Sequence, residues 1–555
     1  MSTFDEIFDF VVVGSGGGSM CSALVLRKAG KSVVVLEKTP LLGGTTARSG
    51  GVMWIPNNRF MKRDGVPDSF EQAATYLDAV VGNRNDAPGT SADRRRTYVA
   101  EGTEMVDFLV EQGIKLNRVT YWPDYYDEAP GGSQQGRTVV AELFNVNELG
   151  PWKDKLRPNF ISMMSTLDEM MNLRFVTRSW EAKKIAAKIV LRTIAARLSG
   201  KRYVTAGGAL QGRMLQASIR AGVDLRTEMP VTELIVEDGA VKGVVTQKDG
   251  QPWRIGTRLG VLVNAGGFAK NQAMRETYIP GTLTNWSMAA EGDTGEMIRE
   301  MMRHGAAIGQ MEEMVGNQIS IAPGTEDAII KPVVQGLTAA PHAILVDQSG
   351  VRYMNESGSY MAYCQGMLAR NQVIPAIPSY AIMDSQFIAK SMLAGTMPGA
   401  KKPKNWLESG YLKRADTIEE LAIMLKIDPA VLRSSVDRFN GFVAAGHDAD
   451  FKRGERAYDR WLGDKFSPNA SLGAIDKGPF YAVEVLPGDV GTYGGVVTDS
   501  DARVLREDGS AIKGLYATGV STASSMGRSY PGAGASVGPS FVWGYVAAKH
   551  VLTSQ

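Results

Sequence analysis
FDFVVVGSGGGSMCSALVLRKAGKSVVVLEK, residues Phe8 to Lys38, decides the fold. Phe8 to Val13 is an apolar strand and Gly14 to Ser19 (GSGGGS) a glycine-rich turn; a helical stretch then runs to Ala29, and Ser32 to Leu36 is a second strand ending at Glu37. That order is a βαβ unit. Gly14 and Gly16 permit the tight turn and the approach of a pyrophosphate to the helix N-terminus, while Glu37 stands where a ribose hydroxyl needs an acceptor. Ser19 occupies the third fingerprint position in place of glycine. Strand, helix and terminal acid together point to a dinucleotide.

Outward from this unit, 555 residues exceed a single core, so two folding units are expected, one inserted into the other. Lys plus Arg total 61 against 59 acids, a net charge of +2, which gives no reason to expect nucleic acid. The 62 glycines suit many close backbone approaches to a ligand. Two cysteines, Cys21 and Cys364, argue for a reducing compartment, and Cys21 falls in the first helix as packing. MSTFDEIFDF carries no basic leader, no apolar run is long enough for a bilayer, and the four histidines lack metal-ligand spacing. A cytoplasmic protein without a metal site is the expectation.

LLGGTTARSGG (Leu41 to Gly51) follows directly, and VLVNAGGFA (Val261 to Ala269) and GLYATGV (Gly514 to Val520) are later strands running into small-residue turns. YWPDYYDEAPGG (Tyr121 to Gly132) is an aromatic loop broken by proline. Ser179 to Arg202 reads as a helix with seven basic side chains against Glu181, its Lys184, Lys188 and Arg192 on one stripe and Ala187, Leu191, Ile194 and Leu198 on another. Such a helix fits a membrane interface, an acidic partner or an ordinary solvated face; the methionine-rich Ile161 to Phe175 precedes it. Thr417 to Asn440 reads as helical and the region around Lys452 to Gly463 as a polar loop. Near the end, Gly532 and Gly534 flank Ala533 after Tyr530-Pro531, before a helix expected to begin near Ala535, an arrangement suited to an anion or an enolate.

The three glycine segments resemble those of the succinate dehydrogenase and fumarate reductase flavoproteins, which implies FAD. Aligned on Gly50-Gly51, the histidine that carries covalent flavin in succinate dehydrogenases falls on Gly44, implying noncovalent FAD. The residues this resemblance gives to FAD are Gly14, Gly16, Gly17, Ser19, Glu37, Lys38, Gly43, Gly44, Thr45, Thr46, Ser49, Gly50, Gly51, Ala265, Gly266, Gly519, Ala535 and Ser536. More specifically, the chain is similar to 3-ketosteroid Δ1-dehydrogenases through the aromatic loop, a tyrosine after R-Y-M-N-E (Arg352 to Glu356), and the Y-P-G-A-G turn. Carried over one at a time, these give Trp122, Tyr125, Tyr360, Tyr530 and Gly534; Trp122 stands where family members commonly have Phe.

The fold implied is α/β: a Rossmann-like FAD-binding domain with a mostly parallel sheet in two parts, 1–316 (with a basic helical insertion at about 160–202) and 491–555, around an inserted α+β catalytic domain, 317–490. The activity implied is 1,2-dehydrogenation of a steroid or sterol ketone, extending to cholest-4-en-3-one. Tyr530 and the Gly534 amide polarise the ketone, Tyr360 takes the carbon 2 proton, Tyr125 stabilises its anion, and hydride passes from carbon 1 to FAD on the opposite face. A phenol titrates near ~10, so Tyr360 needs help as a base. Electrons go to a quinone or another electron carrier, with peripheral contact to the inner face of the cell membrane through 179–202. A 3-ketosteroid 4-dehydrogenase, an enoate reductase and a membrane-docked FAD electron-transfer subunit are the competing readings.

Overall fold
The computed structural model describes residues 3–82, 86–161 and 163–554; Ser162, inside the methionine-rich stretch, lies outside them. In chain order the elements that build the site are β1 (Glu6–Val13), α1 (Gly17–Lys28), β2 (Val33–Leu36), α2 (Trp180–Leu198), α3 (Ala206–Ala221), β3 (Asp224–Arg226), β4 (Val231–Glu237), β5 (Ala240–Lys248) and β6 (Gln251–Val263). They continue with β7 (Met314–Ile319), β8 (Ala343–Val346), α4 (Tyr360–Asn371), β9 (Ser379–Asp384), β10 (Lys413–Ala415), α5 (Ala457–Leu462), β11 (Phe480–Thr492), β12 (Arg503–Leu505), β13 (Ala511–Ala517) and α6 (Val537–Thr553).

β3, β2, β1, β6 and β13 lie side by side and parallel, which is why Phe10 to Val13 and Val33 to Leu36 are uninterrupted apolar runs, buried on both faces. β4 and β5 extend the sheet as an antiparallel hairpin onto β6, turning at Asp238-Gly239 as the sequence suggests, and β12 closes the far edge. A second sheet, wholly antiparallel, runs β7-β11-β9-β8 with β10 also on β11. The fold is therefore the expected α/β Rossmann-like unit with an α+β region.

Chain ends meet over the first glycine turn. α6 packs on α1 through two glycines: a Cβ on Gly18 would lie 2.2 Å from Ser540 O, and one on Gly544 2.3 Å from Gly18 O. The final helix starts at Val537, two residues beyond the expected Ala535, because Gly534 is left-handed (φ 98°) and Gly532 to Ala535 close a turn of their own. Thr417 to Asn440 is two helices, Ile418–Leu425 and Pro429–Ala445, parted where Lys426 turns left-handed and Pro429 opens the next. The region around Lys452 to Gly463 is not all loop, since α5 forms within it.

α2 presents an inverted face. Ala182, Ile189 and Ala196 are buried, and Arg192 turns inward to Glu169 (2.7 Å) with Lys188 beside it (3.1 Å). The large apolar side chains stay outside: Trp180 is 77% exposed, Leu191 67% and Leu198 85%. Among the described residues no helix is long and apolar enough to cross a membrane.

The α1–α6 crossing generates a prediction. Gly544→Ala pushes a methyl group into the Gly18 backbone, which has no rotamer to yield, and should cost about 1–3 kcal/mol. Thermal unfolding should show a lowered midpoint; a wild-type midpoint would mean that the close crossing does not matter.

Candidate active site
Gly14 adopts φ 90°, and a Cβ there would sit 2.3 Å from Asn264 O, so the first glycine turn lies flat on the end of β6. Glu37 ends β2, buried, accepting from Ser15 Oγ (2.5 Å) and from the Thr39 amide (2.9 Å) and Oγ1 (2.8 Å). Ser15 Oγ also accepts from the Gly43 amide (2.9 Å), tying the first and second glycine segments together. The third joins through Ser521, whose Oγ accepts from the Ala265 amide (3.1 Å) and donates to Gly266 O (2.7 Å).

A single cavity of ≈800 Å³ is lined both by these glycine segments and by the aromatic residues. On its wall stand Gly14, Gly16, Glu37, Lys38, Gly44, Thr45, Thr46, Ser49, Gly50, Ala265, Gly266, Gly519 and Ser536, together with Trp122, Tyr125, Tyr360, Tyr530 and Gly534. Five expected residues stand behind the wall. Gly17 leaves room for the Phe541 ring, Ser19 Oγ accepts from Asn264 Nδ2 (3.1 Å), and Gly43 caps Gly44–Arg48. Gly51 lies against the Ala206–Gly207 backbone, and Ala535 O accepts from the Tyr493 hydroxyl (2.9 Å). Lys38 lines the cavity but is engaged by Thr294 (2.7 Å) and Glu296 (3.0 Å).

The group fits a dinucleotide on its own terms. Gly16, at the N-cap of α1, offers no side-chain cap, which leaves the helix N-terminus suited to an anion, and the buried Glu37 carboxylate stands at the end of β2. Opposite, Asp293 is buried on the cavity wall and neither of its oxygens has a hydrogen-bond partner at normal geometry.

Three phenols converge on the same cavity. Tyr360 opens α4, its ring centroid 4.9 Å from Tyr530 and 5.3 Å from Tyr125. The R-Y-M-N-E segment shows why it precedes this tyrosine: Arg352 pairs with Glu356 (2.7 Å) and Asp448 (2.6 Å), and Arg453 joins Glu356 (3.3 Å), a buried ionic floor under the start of α4. Burial pushes Tyr360 well above its ordinary 10, with the Tyr125 and Tyr530 phenols adding to it. Its position at the positive end of α4 works the other way. Burial likewise lifts Tyr530 to about 12, opposed by the Tyr360 hydroxyl and by the Ser536 and Gly534 amides.

The glycine turn is fixed from outside. Tyr125 N–H (2.9 Å) and the Tyr76 hydroxyl (2.6 Å) bond Pro531 O, Thr138 Oγ1 bonds Ala533 O (3.0 Å), and the Trp54 amide bonds Gly534 O (3.2 Å). A Cβ on Gly534 would meet Val52 O at 2.5 Å. Only glycine fits there.

Several contributors were not picked out in the sequence: Asn264, although it lies in the quoted VLVNAGGFA segment, and Asp293, Tyr458 and Trp461. Asp293 lies just before the helix Glu296–Arg303, and only the fold shows it on the cavity wall. Tyr458 and Trp461 come from α5, where the Tyr458 ring lies 4.1 Å from Tyr125, tilted by 31°, and Trp461 stacks 4.9 Å from Trp122.

Asp293 yields a pH prediction. Burial raises it to about 7, with Gly267, Lys38 and Lys270 pulling down and Asp489 pushing up. A carboxyl raised on folding keeps its proton in the native state while the unfolded chain loses it. Stability therefore falls as pH rises from about 4 to about 7, by on the order of 2–4 kcal/mol. Asp293→Asn should remove that part of the slope in thermal melts of flavin-free protein; equal slopes for both proteins would refute the assignment.

Residues 9–537 match the family described as the FAD binding domain. The 3-oxosteroid 1-dehydrogenase of Mycolicibacterium smegmatis is 38% identical, covering 99% of this chain and 97% of that protein. The 4-oxocyclohexanecarboxylate 2-dehydrogenase of Sinomonas cyclohexanicum is 33% identical over 98% of this chain and 92% of its own length. The crystal structure of the Sterolibacterium denitrificans 3-ketosteroid Δ1-dehydrogenase with 1,4-androstadiene-3,17-dione superposes with a TM-score of 0.92 at 33% identity, covering 99% of this chain and 100% of the other. With the βαβ turn, the cavity and the converging phenols in place, the chain belongs to the 3-ketosteroid Δ1-dehydrogenase family of FAD-dependent oxidoreductases.

Proposed function
We propose that this chain introduces the 1,2 double bond into 3-keto-4-ene steroids, and the single observation carrying this is the meeting of Tyr530, Gly534 and Tyr360 on one cavity wall. The Tyr530 hydroxyl and the Gly534 amide donate to the ketone oxygen, which acidifies carbon 2 as enolate charge grows. Tyr360 removes that proton, and Tyr125 hydrogen-bonds its anion. FAD, when bound, supplies the acceptor for the hydride of carbon 1. Met288, Ile330, Val333 and Val490 line the cavity with an apolar surface suited to a steroid skeleton, and Trp122, stacked on Trp461, narrows it.

Glu37 would hold ribose hydroxyls, and Gly14, Gly16 and the start of α1 the pyrophosphate. Noncovalent attachment is supported by Gly44, which stands on the wall at the position that the flavin-linking histidine would take. The antiparallel sheet between Met314 and Thr492 supports an inserted unit of about 317–490 between FAD-domain parts 1–316 and 491–555. Tyr530→Phe should keep FAD and lose about 10²- to 10³-fold in kcat; a variant with wild-type turnover removes Tyr530 from the oxyanion role.

The outward Leu191, Leu198 and Trp180 of α2, with Lys183, Lys184 and Arg197 beside them, support seating on an anionic membrane surface. A protein at the inner face of the cell membrane would meet sterol-derived ketones and a quinone or other electron carrier there. Burying one leucine contributes about 1.5–3 kcal/mol. The double variant Leu191→Glu, Leu198→Glu should therefore stop co-sedimenting with phosphatidylglycerol vesicles while steroid turnover persists, and unchanged sedimentation would exclude α2 as the contact.

A further inference from the structure
Trp122 lines the cavity, yet the side chain that backs it does not. Trp461, on α5, stacks on Trp122 at 4.9 Å and 27° and lies outside the lining, so the width of the cavity at this wall depends on where α5 sits. A helix of six residues does not hold itself in place, because short helices are marginal without tertiary support. Its seat comes from other segments.

Those segments meet its two ends. At the start, the Ala457 and Tyr458 amides donate to the carboxylate of Asp127 (3.1 Å each), an acid of the aromatic loop, and Arg456 pairs with Glu128 (2.6 Å). At the finish, the Arg174 guanidinium donates to the carbonyls of Trp461 (2.6 Å) and Leu462 (2.7 Å), acceptors that a helix end leaves without partners. Arg174 comes from a distant part of the chain, where the helix Leu167–Leu173 ends shortly before α2. Its guanidinium carbon lies 4.6 Å from the centre of the Phe175 ring. Phe175 in turn meets Phe466 (5.1 Å, 77°) and Arg178 bonds Asp464 (2.7 Å), so the chain just past α5 is fastened to the same segment. Burial pulls Arg174 down to about 10, which leaves it charged at neutral pH. None of Arg174, Phe175, Trp461 and Leu462 lines the cavity, and they reach a ligand through Trp122.

We propose that Arg174 is a positioning residue for substrate specificity: by seating the C-terminal end of α5 it holds Trp461 against Trp122 and so sets the width of the steroid pocket. The proposal rests on the reading of this cavity as the 3-ketosteroid site. It gives the segment before α2 a task of its own, apart from any contact with a membrane. Tyr360 and Tyr530 are anchored elsewhere, over the Arg352–Glu356 pair and in the bonded glycine turn, so Arg174 bears on binding and not on turnover.

Arg174→Met keeps the stem and deletes the donors. In the FAD-loaded enzyme, KM for androst-4-ene-3,17-dione should rise about 5- to 20-fold, as for the loss of hydrogen bonds from a charged group, with kcat within about twofold of wild type. The product androsta-1,4-diene-3,17-dione, titrated into the oxidised enzyme and followed by the flavin spectrum, should bind more weakly by the same factor. Arg174→Lys, which still donates to one carbonyl, should recover part of the loss, and it carries the same comparison if the methionine variant does not fold. Because Arg174 acts through Trp461, the double variant Arg174→Met, Trp461→Leu should show the KM of Trp461→Leu alone. A purely structural role predicts lowered thermal stability with wild-type KM and product affinity, and independent roles predict effects that multiply in the double variant; either result overturns the proposal. A wild-type enzyme that neither turns over nor binds a 3-keto-4-ene steroid overturns the function as well, which separates failure of that reading from failure of Arg174 alone.

Discussion

Every carbonyl from Pro531 to Ala535 is bonded away from the cavity: Pro531 to Tyr125 and Tyr76, Gly532 to the Ala535 amide, Ala533 to Thr138, Gly534 to Trp54 and Gly538, and Ala535 to Tyr493. With its acceptors so committed, the turn offers donors to a ligand. The surrounding frame is ionic and buried. Arg137, wholly inaccessible, pairs with Asp68 (2.7 Å) and Asp124 (2.9 Å), and Asp124 also takes the Trp54 indole N–H (2.8 Å) and the Ser133 amide (3.0 Å). Removing one partner of such a buried pair typically costs about 3–5 kcal/mol, so the donor turn is held by groups that never touch a ligand. Burial lifts Asp124 to about 6 despite Arg137, which shows how dry this frame is.

Distant segments are brought to the turn by close backbone packing. Gly18 and Gly544 let the last helix lie on the first, so residues 530–537 stand beside the βαβ turn. The second sheet contributes Tyr360 through α4, and the Arg275–Asp489 pair (2.9 Å), with Ser287 on Asp489 (2.6 Å), fixes the neighbouring cavity wall. The consequence is chemical. Burial raises Tyr125, Tyr360 and Tyr530, so under the proposed reading a phenol base here needs hydrogen bonds from its neighbours and the α4 dipole to stabilise its anion.

The βαβ unit, the three glycine segments and the order of the aromatic sites were legible because each has a local chemical requirement: an apolar run, a left-handed glycine, a proline break. Tyr125, Tyr360 and Tyr530 lie more than 100 residues apart in sequence and still meet, and only family-like patterns could connect them. Asp293 and Tyr458 were illegible for the opposite reason. Their importance comes from packing between segments, and an aspartate in a turn or a tyrosine on a six-residue helix looks ordinary alone. α2 shows a different limit: its two stripes were visible, but which one faces outward is set by Glu169, a tertiary contact that no helical period encodes.

The central claim is positional, that the ketone-holding turn and Tyr360 act on carbons 1 and 2. A saturated 3-ketone, 5α-androstane-3,17-dione, offers both its 1,2 and its 4,5 bonds to the enzyme. After one anaerobic turnover, proton nuclear magnetic resonance of the product should show the two coupled vinyl signals of a 1-ene. A single uncoupled vinyl signal, the mark of a 4-ene, would contradict this account of the site.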